Sequence, residues 1–181
     1  MATNRKRLRE IAVDQYGYVT TADAVALGIP PIELRKLAHR GGLSNVSRGL
    51  YRFDDIAPTS LDYFQEAVLW VGKPDACLAG TAVLALHDLA QVNPAALRVN
   101  TAHRVRRTQR ADIAITHEPI PEDQITTYFA IRSTTVARAL SDARPSVMTN
   151  RLIDATTEAR TEGLINAADY ETLMEATEVQ A

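Results

Sequence analysis

The chain has 181 residues, 46% of them hydrophobic, and 20 Lys+Arg against 22 Asp+Glu give a net charge of −2. That length can bury roughly 70% of the extended-chain surface in one or two domains. No run of about 18 uncharged apolar residues is present for a membrane span, and the basic start through Arg9 has no apolar signal core after it. The lone Cys77, set among apolar neighbours, has no partner for an internal disulfide and reads as a small buried side chain. A cytoplasmic protein is expected.

The net charge hides an asymmetry along the chain. Residues 1–53 carry nine Lys/Arg and four Asp/Glu, residues 54–58 two acids, and residues 59–181 eleven basic against sixteen acidic residues. A basic segment ahead of an acidic remainder suits electrostatic steering to nucleic acid. The first cluster, Arg5, Lys6, Arg7 and Arg9, fits either a strip along a phosphate backbone or a solvated helix start.

From Gly17 to Phe53 the parts follow in the order of a winged helix-turn-helix. A short helix, Thr21 to Leu27, stops at Gly28, where a residue without Cβ can turn left-handed. A second helix opens with Pro30-Pro31, which a first helical turn tolerates, and runs to Arg40 before Gly41-Gly42. Two β-rich runs follow, Leu43 to Val46 and Leu50 to Phe53, joined by Ser47-Arg48-Gly49. On the second helix Ile29, Leu34, Leu37 and Ala38 fall on one apolar side, leaving Arg35, Lys36, His39 and Arg40 largely on the other. A docked apolar stripe with a free basic face is what enters a major groove. Arg35 and Lys36, nearer the N-terminal part, are expected at base edges, with Arg40, Arg48 and Arg52 at phosphates.

This segment resembles the N-terminal domain of AbiEi-type antitoxins, the regulatory halves of abortive-infection toxin–antitoxin pairs. The resemblance is carried by Leu34-Arg35-Lys36-Leu37, then Gly41-Gly42, Arg48-Gly49 and Leu50-Tyr51. The chain departs from the usual pattern at Pro30-Pro31 and at the polar Ser44-Asn45. A weaker echo continues in "AGTAVLALHDL" (Ala79 to Leu89) and "IRSTTVARALSDA" (Ile131 to Ala143), which look like helical segments of the family's companion domain. The resemblance implies operator double-stranded DNA and a nucleotidyltransferase-like toxin as partners. A second copy of the chain on DNA is left open, and no membrane is involved.

A boundary is expected in Asp54-Asp55-Ile56-Ala57-Pro58, dividing a DNA-binding domain (1–58) from an α+β antitoxin domain (59–181). Pro58 disfavours helix before it, and Thr59 or Ser60 can cap a new one. Leu61, Phe64, Ala67, Val68 and Val71 then recur at helical spacing to Gly72. After Lys73-Pro74 a helix is expected from Thr81 to Leu89, then strands at Leu97 to Ala102, Ile113 to His117 and Ile125 to Arg132. Helices return at Thr134 to Ala143, Val147 to Arg160 and Ala167 to Ala176. The fold class is therefore α+β, an N-terminal winged helix-turn-helix followed by a mixed α/β domain.

In this second part Arg104, Arg106, Arg107 and Arg110, with Arg98 and His103, form a basic run that reads either as a second phosphate-contacting surface or as an exposed polar hairpin. No interleaved aromatics mark a stacking platform for single strands. The segment from Pro145 is acidic, with two arginines and seven acids, and reads as a solvated face or a lure for a basic partner.

No catalytic, cofactor or metal site is expected. Neither GxxxxGK[ST] nor GxGxxG occurs to hold a phosphate chain, and no serine sits in a GxSxG elbow. His39, His87, His103 and His117 lack the paired spacing of zinc ligands. Asp54-Asp55 and Glu122-Asp123 lie in expected loops. Three roles follow: an antitoxin that represses its operon and counteracts a toxin; a plain winged-helix transcription regulator whose second domain dimerises or senses a ligand; and an enzymatic antidote that modifies, for example phosphorylates, the toxin.

Overall fold

The computed structural model describes residues 3–107 and 109–178. The chain divides into one unit ending at Gly72 and another beginning at Lys73. The boundary expected at Pro58 thus falls inside the first unit.

The first unit begins with α1 (Asn4–Asp14), whose N-cap Thr3 accepts a hydrogen bond from Lys6 N. The N-terminal cations Arg5, Lys6, Arg7 and Arg9 all lie on this helix. A short strand, β1 (Tyr18–Thr20), runs directly into α2 (Thr21–Ala26), and Thr20 and Asp23 close a reciprocal capping box there. The helix ends in a Schellman turn, with Gly28 N donating to Val25 O and Ile29 N to Ala24 O at 2.9 and 2.8 Å. Gly28 sits at φ 69°, where a Cβ would be strained although the space around it is open. Then come α3 (Pro31–His39), β2 (Leu43–Ser47), β3 (Leu50–Phe53) and α4 (Asp62–Val71).

The three strands form an antiparallel sheet in the order β1-β3-β2, with Val19 opposite Tyr51 and Leu43 opposite Phe53. Leu8, Ala12, Val19, Ala24, Ile29, Leu34 and Phe53 are buried in one core built from every element before Asp54. Helix α4 starts later than Thr59 or Ser60 implies. Asp62 instead accepts from the Thr59 N–H and hydroxyl at 2.9 and 2.7 Å, closing the turn that leads into the helix.

The second unit is built on a five-stranded mixed sheet, ordered β6-β5-β4-β8-β7. Its strands are β4 (Cys77–Leu78), β5 (Leu97–Asn100), β6 (Ile113–Thr116), β7 (Ile125–Tyr128) and β8 (Ile131–Thr134). Leu78 at the centre pairs antiparallel with Val99 and parallel with Ser133. The helices are α5 (Thr81–Leu86), α6 (Val136–Ala143), α7 (Thr149–Thr161) and α8 (Ala167–Glu178).

Two sequence expectations change here. The single strand from Ile125 to Arg132 is a hairpin, turning at Phe129 and Ala130, which hold φ 50° and 61°. Such a turn is usually announced by Asn-Gly or Asp-Gly, and Phe-Ala carries no such signal. The helix expected to reach Leu89 ends at Leu86, because Asp88 and Ala90 turn left-handed at φ 58° and 57°. Cys77 is buried, and that burial pushes its thiol up to about 11, consistent with a packed and unreactive side chain.

Candidate nucleic-acid interface

Helix α3 owes its orientation to its apolar side. Leu34 is fully buried in the first unit's core, and Leu37 and Ala38 pack against that core. The opposite side is left outward, and there Arg35, Lys36, His39 and Arg40 are all exposed. Lys36 is partly neutralised by Glu33, one turn earlier, at 2.8 Å. Arg35 and Arg40 have no carboxylate partner among the described residues. Ile32 is 45% exposed on the same outward side, an apolar residue that a search for charge passes over.

The β2–β3 hairpin puts a further cation at a fixed place. Its register shifts by one residue between Asn45 and Ser47, a bulge that sharpens the twist. The tip is pinned to the start of α2, with Thr21 N donating to Gly49 O at 2.9 Å. Gly49 is needed for this approach, since a Cβ there would lie 3.1 Å from Thr21 Oγ1 at φ 79°. Arg48, beside it, is exposed. The polar Ser44 also has a local use, its hydroxyl donating to Asp54 at 2.7 Å.

Arg52 does not join this surface. Its guanidinium pairs with Asp62 at 2.9 Å, donates to Ile56 O at 3.0 Å, and lies over the Tyr18 ring. Arg52 therefore fastens β3 to the start of α4 rather than reaching outward. Tyr18 continues the same tie, donating to Glu66 at 2.8 Å, and burial and that bond raise its pKa above the ordinary phenol value. Three of the four N-terminal cations are engaged in the same way. Arg5 stacks over Phe53, Arg7 donates to Leu27 O at the end of α2 at 2.8 Å, and Arg9 pairs with Asp55 at 3.0 Å. Spacing alone gave no sign of these ties, because their partners lie 20 and 46 residues away for Arg7 and Arg9.

In the second unit the basic run is less uniform than its sequence. Asp75 holds the beginning of the loop after β5, accepting from Thr101 Oγ1 at 2.6 Å and Ala102 N at 2.7 Å and contacting His103 Nδ1 at 2.9 Å. Burial pushes the Asp75 carboxyl upward, but these hydrogen bonds together outweigh it and bring the pKa down to about 2. Arg104 and Arg106 are exposed, Arg107 is partly buried, and Arg110 forms an ion pair with Asp112. Elsewhere Arg138 on α6 is held by Asp142 and Gln124, each at 2.8 Å, and by Glu118.

Beside Arg138 lies a cavity of about 430 Å³ between α6, α8 and the turn before β7. Its lining includes Gln124, Thr135, Ser141, Arg144, Asn166 and Asp169. Among the described residues no group of three His, Cys, Asp or Glu stands together as metal ligands would. No helix among them is long and apolar enough to cross a membrane.

In the first unit helix α3 and the hairpin offer cations outward. Residues 6–53 match the family model described as transcriptional regulator, AbiEi antitoxin. The match runs from α1 through β3, so it spans α3, the hairpin and the core beneath them. It supports a role as an antitoxin or transcriptional regulator. Among curated proteins, none matches this chain.

Proposed function

We propose that the first unit is a winged helix-turn-helix that binds operator double-stranded DNA, and that the chain is the antitoxin of a toxin–antitoxin pair. The observation that carries this is the outward basic face of α3, together with an exposed Arg48 at a pinned hairpin tip, within the segment that matches the antitoxin family model. Helix α3 lies in the major groove, with Arg35 and Lys36 at base edges and Arg40 and Arg48 at phosphates. The DNA contacts then lie before Pro58, and the second unit supplies the antidote to a nucleotidyltransferase-like toxin. Arg104 and Arg106 remain outward there for a phosphate or an acidic partner surface. Such a protein works in the cytoplasm.

Two measurements test the two halves. Fluorescence anisotropy with duplex from upstream of the chain's own gene should show binding that weakens steeply with salt. Cells expressing the adjacent open reading frame should stop growing and should recover when this chain is supplied. Toxicity without rescue removes the antitoxin role; no duplex binding at low salt removes the DNA-binding one.

The cavity beside Arg138 favours a second role, a regulator whose second unit senses a small polar ligand. A metabolite-dependent change in operator affinity, without any rescue from the neighbouring gene product, would select it.

A further inference from the structure

We infer that Ile32 is a base-reading residue, packing against the 5-methyl group of a thymine in the operator's major groove next to the base that Arg35 contacts. The inference rests on the DNA-binding role proposed above and names a specificity determinant within it.

The geometry of α3 leads to Ile32. Each helical residue advances by about 100° around the axis, at 3.6 residues per turn. With the fully buried Leu34 taken as inward, Ile32, Lys36 and His39 point about 160°, 200° and 140° away from it. All three therefore lie within about 40° of straight outward, a single stripe at positions i, i+4 and i+7. Arg35 flanks that stripe at about 100°. Ile32 is the stripe's apolar member, 45% exposed, in the first turn of α3 (Pro31–His39). The first turns of a recognition helix are what come closest to base edges.

Scattered exposed apolar residues are normal on a protein surface and need no explanation. Ile32 differs in its setting, because it shares the outward side of α3 with Arg35, Lys36 and His39, of which Lys36 alone is paired, with Glu33. Ile32 is the wholly apolar side chain of the stripe, and on the floor of the major groove the apolar feature of a base pair is the thymine methyl. Pro31 at the start of the helix fixes the backbone that carries Ile32, so the side chain is presented with little freedom to lose.

The experiment starts from a duplex selected by the full chain out of a random pool, with each thymine then replaced singly by deoxyuridine. Removing one methyl in this way leaves every hydrogen bond of the base pair in place. The expected result is a loss of about fourfold in affinity at one or two thymines, the worth of one buried methyl group. Those thymines should neighbour the base pair whose identity ceases to matter in Arg35→Ala. In Ile32→Ala the uracil and thymine duplexes should bind equally, while the salt dependence of binding stays that of the wild type. Indifference of the wild type to every uracil overturns the inference, as does methyl discrimination that persists in Ile32→Ala. Failure to select any duplex is a different outcome, which removes the DNA-binding role and this inference with it.

Discussion

The two units treat their arginines differently, and the contrast shows why a count of cations overstates a binding surface. In the first unit Arg5, Arg7, Arg9 and Arg52 turn back on their own fold, two of them to carboxylates, one to a helix-end carbonyl and one to an aromatic ring. Arg35 and Arg40 on α3 and Arg48 at the hairpin tip are left outward. In the second unit Arg110 pairs with Asp112 and Arg138 with Asp142 and Glu118, and the His103 ring meets Asp75, so carboxylates hold most of the anchored side chains there. A basic stretch of sequence becomes a basic surface only where the fold offers its cations nothing better.

The sharpest way to break this contrast is to remove a fastening cation. Arg52→Ala should lower the first unit's stability by about 3 kcal/mol, since the Asp62 carboxylate, 12% exposed, would lose its partner. Urea unfolding followed by the fluorescence of Trp70, the chain's single tryptophan and a buried residue of α4, the helix whose start Arg52 holds, reads this. An unchanged midpoint would show that Arg52 is not a fastener. Among outward cations, Arg35→Ala should leave that midpoint alone and cost about 1–3 kcal/mol of operator affinity. Equal loss on all duplexes would move Arg35 from base to phosphate.

The loop anchor of the second unit gives a pH-dependent counterpart. Asp75 has its pKa lowered from 3.8 to about 2, so its stabilising effect is present above pH 3.8 and fades as pH falls towards 2. Asp75→Asn should therefore cost about 2 kcal/mol at neutral pH and progressively less in acid. Denaturation of both proteins at pH 7 and near the lower limit checks the sign. A gap that stays constant with pH would mean that charge is not what anchors the loop.

Smaller effects separate free from paired cations. Arg48→Ala should flatten the slope of log affinity against log salt by about one unit. Arg110→Ala should change nucleic-acid affinity by less than about 0.5 kcal/mol, because Asp112 already holds it. A larger loss at Arg110 than at Arg48 would reverse the roles assigned to the two units.

The first unit was largely legible because its signals are short-range. The Gly28 turn, the proline-led helix and the Arg48-Gly49 hairpin are each written within a few residues, and α2, α3, β2 and β3 fall close to their expected places. What stayed hidden there depends on distant partners. The strand Tyr18–Thr20 has meaning only beside Leu50–Arg52, and Arg52 looked outward until Asp62 came to meet it. In the second unit a two-residue central strand, Cys77–Leu78, is too short to show any alternation. The Phe129–Ala130 turn lacks glycine altogether, so the hairpin reads as one uninterrupted strand. The outward placement of Arg35, Arg40 and Arg48 follows from residue type, whereas nothing in the sequence marks Ile32 as exposed.

The placement of Leu78 has a consequence for the order in which the protein is made. Its partners are Val99 on one side and Ser133 on the other. Every strand and helix of the first unit has been synthesised by Val71, whereas the middle of the second sheet stays open until the ribosome has passed Thr134. Domains generally fold as units, N-terminal first during synthesis, and distant strand pairings come late. A nascent chain would hold a finished α3 and hairpin outside the exit tunnel while its second sheet still lacked an edge.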